Sequence, residues 1–220
     1  MQSVFPKIEW TRRRKQILDL VHLDICSMSK KSLGGAQYLV TFFNDYSKKL
    51  WVDPLKTKDQ VLQTFKEFHA LVERETGRKL KCLRSDNDGE YISPFEAYCK
   101  AHGIRHNKVP PKTPQLNGLA EMMNRTIVEK VKCMISLSKL PKTFWGKAVK
   151  TAIDLTNLSS SRQLNGEILE EVWSGKKASY SHLKVIRCKT FIHIPKDKWT
   201  KLYAKGKEYI PWFAKRWTWI

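Results

Sequence analysis

Three acidic residues stand where a regular pattern in the sequence ends or begins. Asp24 closes an apolar run, Asp86 follows a second apolar run, and Glu121 lies where a loop segment gives way to a helical pattern. Acidic side chains at strand ends and helix starts converge readily in an α/β domain. Three such oxygen donors at one point suit Mg²⁺ or Mn²⁺, which prefer carboxylate and water to His or Cys. Because the chain has 21 acidic residues, chance placement is the simpler explanation for any one of the three taken alone.

Five short segments have the residue pattern of β-strands. Residues 17–26 alternate, with Leu23 on one face and Asp24 on the other. Residues 36–43 form a nearly continuous apolar run, which is typical of a buried central strand. The first three segments read as a meander, and an alternating fourth segment leads to Asp86. The predicted strands are residues 17–26, 36–43, 50–52, 80–84 and 104–106.

Apolar residues at helical spacing follow and separate these strands. One stripe ends before Gly77, which can close a helix in the left-handed conformation. A short helix is predicted for residues 94–102, and an amphipathic helix follows Pro141. The first stripe is Val61, Phe65, Phe68 and Val72, and the packing set after Pro141 is Phe144, Trp145, Ala148, Val149, Ala152 and Ile153.

The helix that contains Glu121 presents two different faces. Glu121 and Arg125 are four residues apart and share one face, directed at the mouth of the expected site. An ordinary surface ion pair between them, contributing about 0.2–0.5 kcal/mol, is the alternative interpretation. The other face is an apolar stripe that should pack on the sheet, consisting of Leu119, Met123, Ile127, Val131 and Met134.

The charge of the chain points to a polyanionic partner. It has 41 Lys and Arg against 21 Asp and Glu, a net charge of +20 and a pI near 9.8. Nucleic acid and an anionic membrane surface are both polyanions, but the basic residues are scattered and do not form one amphipathic helix, which favours DNA. No apolar stretch is long enough to span a membrane. The simpler alternative is a lysine-rich surface that is only solvated and binds no partner. The excess of basic over acidic residues is large for such a surface.

Length and cysteine usage bound the architecture and the compartment. The 220 residues allow one medium domain with a smaller appendage. We expect a basic extension at 1–16, a core at 17–158, and an extension at 159–220 with a strand-rich segment and a poorly ordered tail. The five cysteines are dispersed and form no CxxC pair, which argues against a disulfide framework and a structural zinc site and fits an intracellular, reducing environment.

Several motifs, in order and spacing, make the chain resemble a known family. The segments resemble the integrase of copia-type LTR retrotransposons, and the later ones resemble the Pol polyprotein downstream of its catalytic core. The resemblance covers about residues 17–203. The matching segments are Val21-His22-Leu23-Asp24, Ser32 to Ala36, Asn44 to Ser47, Leu83 to Tyr91, Thr113 to Thr126, Phe144-Trp145, Glu171 to Gly175 and Ser179 to Leu183.

The resemblance implies a fold and a set of site residues. It implies an RNase H-like α/β fold, a five-stranded mixed sheet flanked by helices, with a small C-terminal extension. Asp24, Asp86 and Glu121 would be the catalytic, metal-binding triad. Asn117, through a mobile loop, and Arg125, through phosphate, would lie near the DNA end. Lys108 and Lys112 complete the DNA-binding residues expected from this resemblance.

The resemblance also implies an activity. The family members are polynucleotidyl transferases that process the 3′ ends of element DNA and join them to target DNA. Two Mg²⁺ or Mn²⁺ ions about 3.5–4 Å apart would activate the attacking oxygen and neutralise the leaving one. Asp24, on a central strand, is the natural bridging ligand. A homo-oligomer that works in the nucleus on loosely chosen target DNA is the implied assembly.

The chain also departs from the family pattern. Asp88 replaces a glycine two residues after Asp86, which would place a further negative charge at the rim of the site, and Met122 replaces an arginine. The zinc module that usually precedes the core is not seen in the roughly 16 residues before the first strand, and residues 211–220 resemble a frame-shifted tail. These features predict a degenerate fragment.

Two other function classes remain open at this point. One is a DNA-binding remnant without catalysis, which the altered flanks favour. The other is an RNase H-like nuclease, which needs only the carboxylates and metal. Loss of strand transfer on Glu121→Gln separates the enzyme from the remnant, and an RNA–DNA hybrid substrate separates integrase from nuclease.

Overall fold

A computed structural model describes residues 16–86, 93–109, 114–183, 190–193 and 206–209. Five strands form one mixed sheet in the order β3-β2-β1-β4-β5. The first three pair antiparallel as a meander, whereas β4 and β5 run parallel to β1. The strands are β1 (Val21–Ser27), β2 (Tyr38–Asn44), β3 (Leu50–Leu55), β4 (Cys82–Ser85) and β5 (Arg105–Lys108).

Helices cover both faces of this sheet. The sheet and its helices have the expected α/β arrangement, in which the central strands are buried on both sides. Among the described residues, no helix is long and apolar enough to cross a membrane. The helices are α1 (Val61–Thr76), α2 (Ser93–Ala101), α3 (Pro114–Ser138), α4 (Trp145–Asn157) and α5 (Leu169–Ser174).

The alternation of β2 divides the core into two halves. Val40 and Phe42 pack on the side of α1 and α2, where Phe42 stacks on Phe68 with ring centroids 4.1 Å apart. Leu39 and Phe43 pack on the other side, against α3 and α4. On β1, Val21 and Leu23 belong to the first half, which directs Asp24 toward α3.

Most of the predicted elements are confirmed, with shifted ends. Helix α1 ends as expected at Gly77, whose φ of 65° is left-handed. The first strand, however, begins at Val21 and not at residue 17. Residues before it form a turn in which the Asp19 carboxylate accepts from the Gln16 backbone N–H and Leu18 adopts a φ of 65°. Leu18 is buried all the same, which is why the apolar alternation extended through the turn.

The segment after residue 158 begins by packing back on the core. Trp173 of α5 lies in the α1-side core, and its ring meets that of Trp51 edge-on at 4.7 Å. The Lys49 ammonium lies 5.3 Å from the centre of each of these two rings and pairs with Glu170 at 2.9 Å. Further along, β6 (Thr190–His193) and β7 (Gly206–Tyr209) form a two-stranded antiparallel sheet.

Candidate active site

Asp24 is a buried carboxylate in the middle of the central strand. It is the fourth residue of β1 and is only 7% exposed. Its backbone carbonyl accepts a hydrogen bond from the Thr41 hydroxyl of β2 at 3.3 Å. Carboxylates are rarely this buried unless they have a partner. A buried carboxylate is therefore a candidate for a functional residue.

The partner of Asp24 comes from helix α3. The side-chain amide of Asn124 donates a hydrogen bond of 2.7 Å to the Asp24 carboxylate, and Asn124 is itself buried. This contact ties β1 to α3 across 100 residues of sequence. The Asn124 carbonyl oxygen has no hydrogen-bond partner among the described residues, which leaves a neutral oxygen donor beside the carboxylate. Sequence reasoning missed Asn124, although it follows Glu121 by three residues on the same helix and such pairs are neighbours.

Asp86 and Glu121 act on Asp24 through their charge. Asp86 is the half-buried residue directly after β4, and Glu121 is exposed on α3. Burial, followed by the negative charges of Asp86 and then Glu121, raises the pKa of Asp24 from 3.8 to about 6. The hydrogen bonds from the Ile25 backbone and Asn124 oppose this rise but do not cancel it. Asp86 and Glu121 are therefore close enough to Asp24 for their charges to act on its carboxyl group.

The three carboxylates do not form a ready-made ligand group. Within the described part of the chain, no three His, Cys, Asp or Glu side chains are close enough together to hold a metal ion. The donor chemistry nevertheless suits a hard divalent cation, because the set offers carboxylate oxygens and one amide oxygen and no sulfur. Besides burial, the negative charges of Asp86 and Glu121 raise the pKa of Asp24. A bound divalent cation would offset this excess of negative charge.

A serine and a histidine support the backbone at Asp86. The Ser85 hydroxyl is fully buried, donates to the Asp86 carbonyl at 3.0 Å, and lies 2.9 Å from Nε2 of His106 on β5. Because the serine proton is directed to the carbonyl, His106 Nε2 is the donor of the second bond. Burial, and then the charge of Lys108, lowers the pKa of His106, which keeps the ring neutral near pH 7. Nothing in the sequence pattern beyond the two residue types indicates this pair.

The residues expected to bind DNA differ in their exposure, in their partners and in whether the structure describes them. Arg125 is exposed on α3, one turn after Glu121, as expected for a face directed away from the sheet. Lys108 forms an ion pair with Glu96. Helix α3 begins at Pro114, so Asn117 lies in a helix and not in the mobile loop that was expected, and Glu121 lies well inside that helix. The Asn117 side chain, Lys112 and Asp88 lie outside the described residues.

Solved structures with the same architecture define the class of fold. The HTLV-2 integrase catalytic core domain, solved in complex with magnesium in a trimeric form, covers 70% of this chain with 95% of its own length, at a TM-score of 0.54 and 18% identity. The simian T-cell lymphotropic virus intasome, in complex with the PP2A regulatory subunit B56 gamma, covers 89% of this chain with 68% of the matched chain, at a TM-score of 0.61 and 17% identity. The fold is therefore the RNase H-like fold of integrase catalytic cores.

Sequence comparison then identifies the family. No family model matches the chain. The retrovirus-related Pol polyprotein from transposon TNT 1-94 of Nicotiana tabacum is 61% identical over 198 residues, which make up 89% of this chain and 15% of that polyprotein. The chain belongs to the retrotransposon Pol polyproteins, and its described part has the fold of an integrase catalytic core. It spans about a seventh of the length of the curated relatives it matches.

Proposed function

We propose that this chain is a divalent-metal-dependent polynucleotidyl transferase that processes the 3′ ends of retrotransposon DNA and joins them to target DNA. One observation carries the proposal. Asp24 is buried on the central strand, accepts a hydrogen bond from Asn124 of α3, and is acted on by the negative charges of Asp86 and Glu121. A buried carboxylate with a strongly perturbed pKa, facing two others, is typical of a functional site.

Asp24, Asp86 and Glu121 would hold the metal, and the Asn124 carbonyl oxygen is an additional donor beside them. Magnesium is present in the HTLV-2 integrase core of the same fold, which supports Mg²⁺ as the cofactor. When bound, divalent ions supply activation of an attacking oxygen and neutralisation of a leaving oxygen in phosphoryl transfer. Asp24 would be the central residue of this set, because the charges of both other carboxylates act on it.

The residues of the chain orient this site. Asn124 fixes the Asp24 carboxylate, while Ser85 and His106 fix the backbone from which Asp86 projects. In end processing, attack by a water oxygen on phosphorus breaks the bond to a 3′ oxygen and leaves a 3′-hydroxyl. In joining, that hydroxyl oxygen attacks a target phosphodiester and releases a new 3′-hydroxyl there.

The charge of the chain supports the choice of substrate. The net charge of +20 fits a DNA partner held mainly through phosphates, with loose sequence preference. Arg125, exposed one turn from Glu121, is the described residue best placed to contact a phosphate near the reacting end. We propose in addition that the active form is a homo-oligomer and that it acts in the nucleus.

The proposal is tested with duplex DNA that carries a recessed 3′-hydroxyl and a supercoiled plasmid as target. Wild-type protein should join the two in Mg²⁺ or Mn²⁺ and not in EDTA. Glu121→Gln should abolish joining while leaving DNA binding intact, and Glu129→Gln, which removes an equally exposed charge from the same helix, is the matched control. Equal joining by wild type and Glu121→Gln would refute the assignment.

Two results would replace the proposal with another function. Binding without joining in any metal indicates a DNA-binding remnant. Cleavage of the RNA strand of an RNA–DNA hybrid, without joining, indicates a nuclease. Both readouts use the same protein preparation, so they separate these outcomes directly.

A further inference from the structure

A group of exposed lysines lies at the end of the sheet where β1 and β4 end, outside the candidate active site. The basic surface, as we call it, consists of Lys30 and Lys31 from the loop after β1, Lys56 after β3, Lys142 from the turn before α4, and Lys147 from the first turn of α4. All five are exposed. None of the five pairs with a carboxylate in the described part of the chain, unlike Lys49, Lys79, Lys81 and Lys108.

Short contacts bring these separate segments together. The Leu33 backbone N–H donates to the Thr143 carbonyl at 2.8 Å, and the buried indole of Trp145 donates to the Lys30 carbonyl at 2.7 Å. The backbones are also close, since a Cβ placed on Gly146 would lie 3.1 Å from that of Ser32. The loop after β1 is therefore attached along the first turn of α4.

Lys56 belongs to the same surface because its side chain lies next to Gly35 of this loop. A Cβ placed on Gly35 would lie 3.8 Å from the Lys56 side-chain Cε. Two further bonds close the loop on itself: the Ser32 N–H donates to the Ala36 carbonyl at 2.8 Å, and the Ala36 N–H donates to the Ser32 hydroxyl at 3.0 Å. A loop held this firmly loses little backbone entropy when a ligand binds its lysines.

The position of the basic surface relative to Asp24 follows from strand geometry. Strand β1 continues from Asp24 to Ser27 before the loop begins, a distance of roughly 10 Å at about 3.3 Å per residue. The loop leaves from the same end of the sheet as Asp86, because β4 is parallel to β1 and ends there. A polyanion on the basic surface would thus extend toward the carboxylates.

We propose that the basic surface binds the phosphate backbone of double-stranded DNA away from the DNA ends, next to the candidate active site. The assignment of that DNA as substrate rests on the proposed function, whereas binding itself does not need the carboxylates. Duplex DNA is favoured over a single strand because single-strand sites use exposed aromatic rings for stacking. The exposed large apolar residue in this loop is Leu33, and it offers no such ring.

The test compares two triple variants by fluorescence anisotropy in EDTA, so that no metal-dependent chemistry occurs. Lys30→Gln/Lys31→Gln/Lys147→Gln removes charge from the basic surface. The matched control removes three equally exposed lysines elsewhere and is Lys100→Gln/Lys176→Gln/Lys177→Gln. The probes are a linear 30-base-pair duplex, a closed dumbbell of the same sequence without free ends, and the corresponding single strand.

The salt dependence gives the decisive readout. Each phosphate that a variant no longer neutralises lowers the slope of log K against log salt by about 0.9. The slope of the basic-surface variant should therefore fall by about 2.7 on both the linear and the closed duplex, and that of the control by less than about 1. The affinity of the basic-surface variant should fall at least about tenfold near 0.1 M salt. Equal slopes in the two variants would overturn the proposal. A reduction confined to the linear duplex, or equally large on the single strand, would also overturn it.

A further variant tests the rigid loop separately from charge. Trp145→Phe keeps a buried ring but removes the donor to Lys30, so affinity should fall while the salt slope stays the same. An unchanged affinity would show that the loop attachment does not contribute. If wild type failed to join DNA but the slopes still separated as stated, the proposed function would fail and the basic surface would stand.

Discussion

Replacing Asp24 with Asn should stabilise the metal-free protein at neutral pH. Burial and the charges of Asp86 and Glu121 raise the pKa of Asp24 from 3.8 to about 6, so the folded state binds this proton more tightly than the unfolded state does. Each step of one in pKa corresponds to about 1.4 kcal/mol, which makes the cost of an ionised Asp24 about 3 kcal/mol. Asn124 can still donate to the new amide oxygen, so Asp24→Asn removes that cost and keeps the contact.

The pH window follows from the sign of this shift. Because the folded-state pKa lies above the unfolded one, the cost is fully present above pH 6, decreases as pH falls, and is absent below about pH 3.8. The gain in free energy of unfolding should therefore be about 2–3 kcal/mol at pH 7.5 and near zero at pH 4. For a chain of this size, that gain is roughly 5–10 °C in Tm.

Urea unfolding in EDTA at several pH values measures this gain, with Glu129→Gln as a control for net charge. Mg²⁺ should raise the stability of the wild type by mass action, by about 1.4 kcal/mol at ten times its Kd, and should have much less effect on Asp24→Asn. The reasoning is refuted if Asp24→Asn is no more stable than wild type at pH 7.5. It is equally refuted if the difference persists unchanged at pH 4.

Three further substitutions test the contacts around the site and the core. Asn124→Leu removes the hydrogen bond that lowers the pKa of Asp24, so a carboxyl NMR titration should show that pKa rising further; an unchanged titration would contradict the assignment. His106→Leu leaves the buried Ser85 hydroxyl without its donor and should cost about 1–3 kcal/mol in urea unfolding, whereas His106→Gln, which retains a donor, should cost less. Trp173→Ala should cost about 3–5 kcal/mol in the same assay, and a cost under about 1 kcal/mol would show that α5 is not part of the core.

Periodicity predicted the sheet and the main helices because burial on a fixed face produces it. Phe65 and Phe68 both lie in the core, as their spacing required, and the alternation along β1 correctly separated Leu23 from Asp24. The start of β1 was wrong because periodicity reports burial and not backbone conformation. Leu18 is buried from a turn that the Asp19 side chain stabilises.

The start of α3 was placed too late, although a local signal was present. Pro114 occupies the first helical position, which proline favours because it has no N–H to leave unpaired. Pro110 and Pro111, which precede it in the sequence, are typical of irregular structure and concealed that signal. The spacing of Asn124 from Glu121 makes the two neighbours on α3, but the contact of Asn124 with Asp24 depends on how α3 packs across the sheet, which the local pattern does not show.

Charge repulsion opposes the close approach of the three carboxylates while no cation is bound. Two unit charges about 4 Å apart repel by about 4 kcal/mol at an effective dielectric constant of about 20, which far exceeds the net contribution of an ordinary hydrogen bond. Asp24 is held by Asn124 and Asp86 projects from a supported strand end, so Glu121 on the exposed face of α3 is the carboxylate with room to stay apart. A cation that offsets the repulsion removes the reason for that separation. Hydrogen bonds thus fix the Asp24 carboxylate and the backbone of Asp86, whereas Glu121 is exposed on α3.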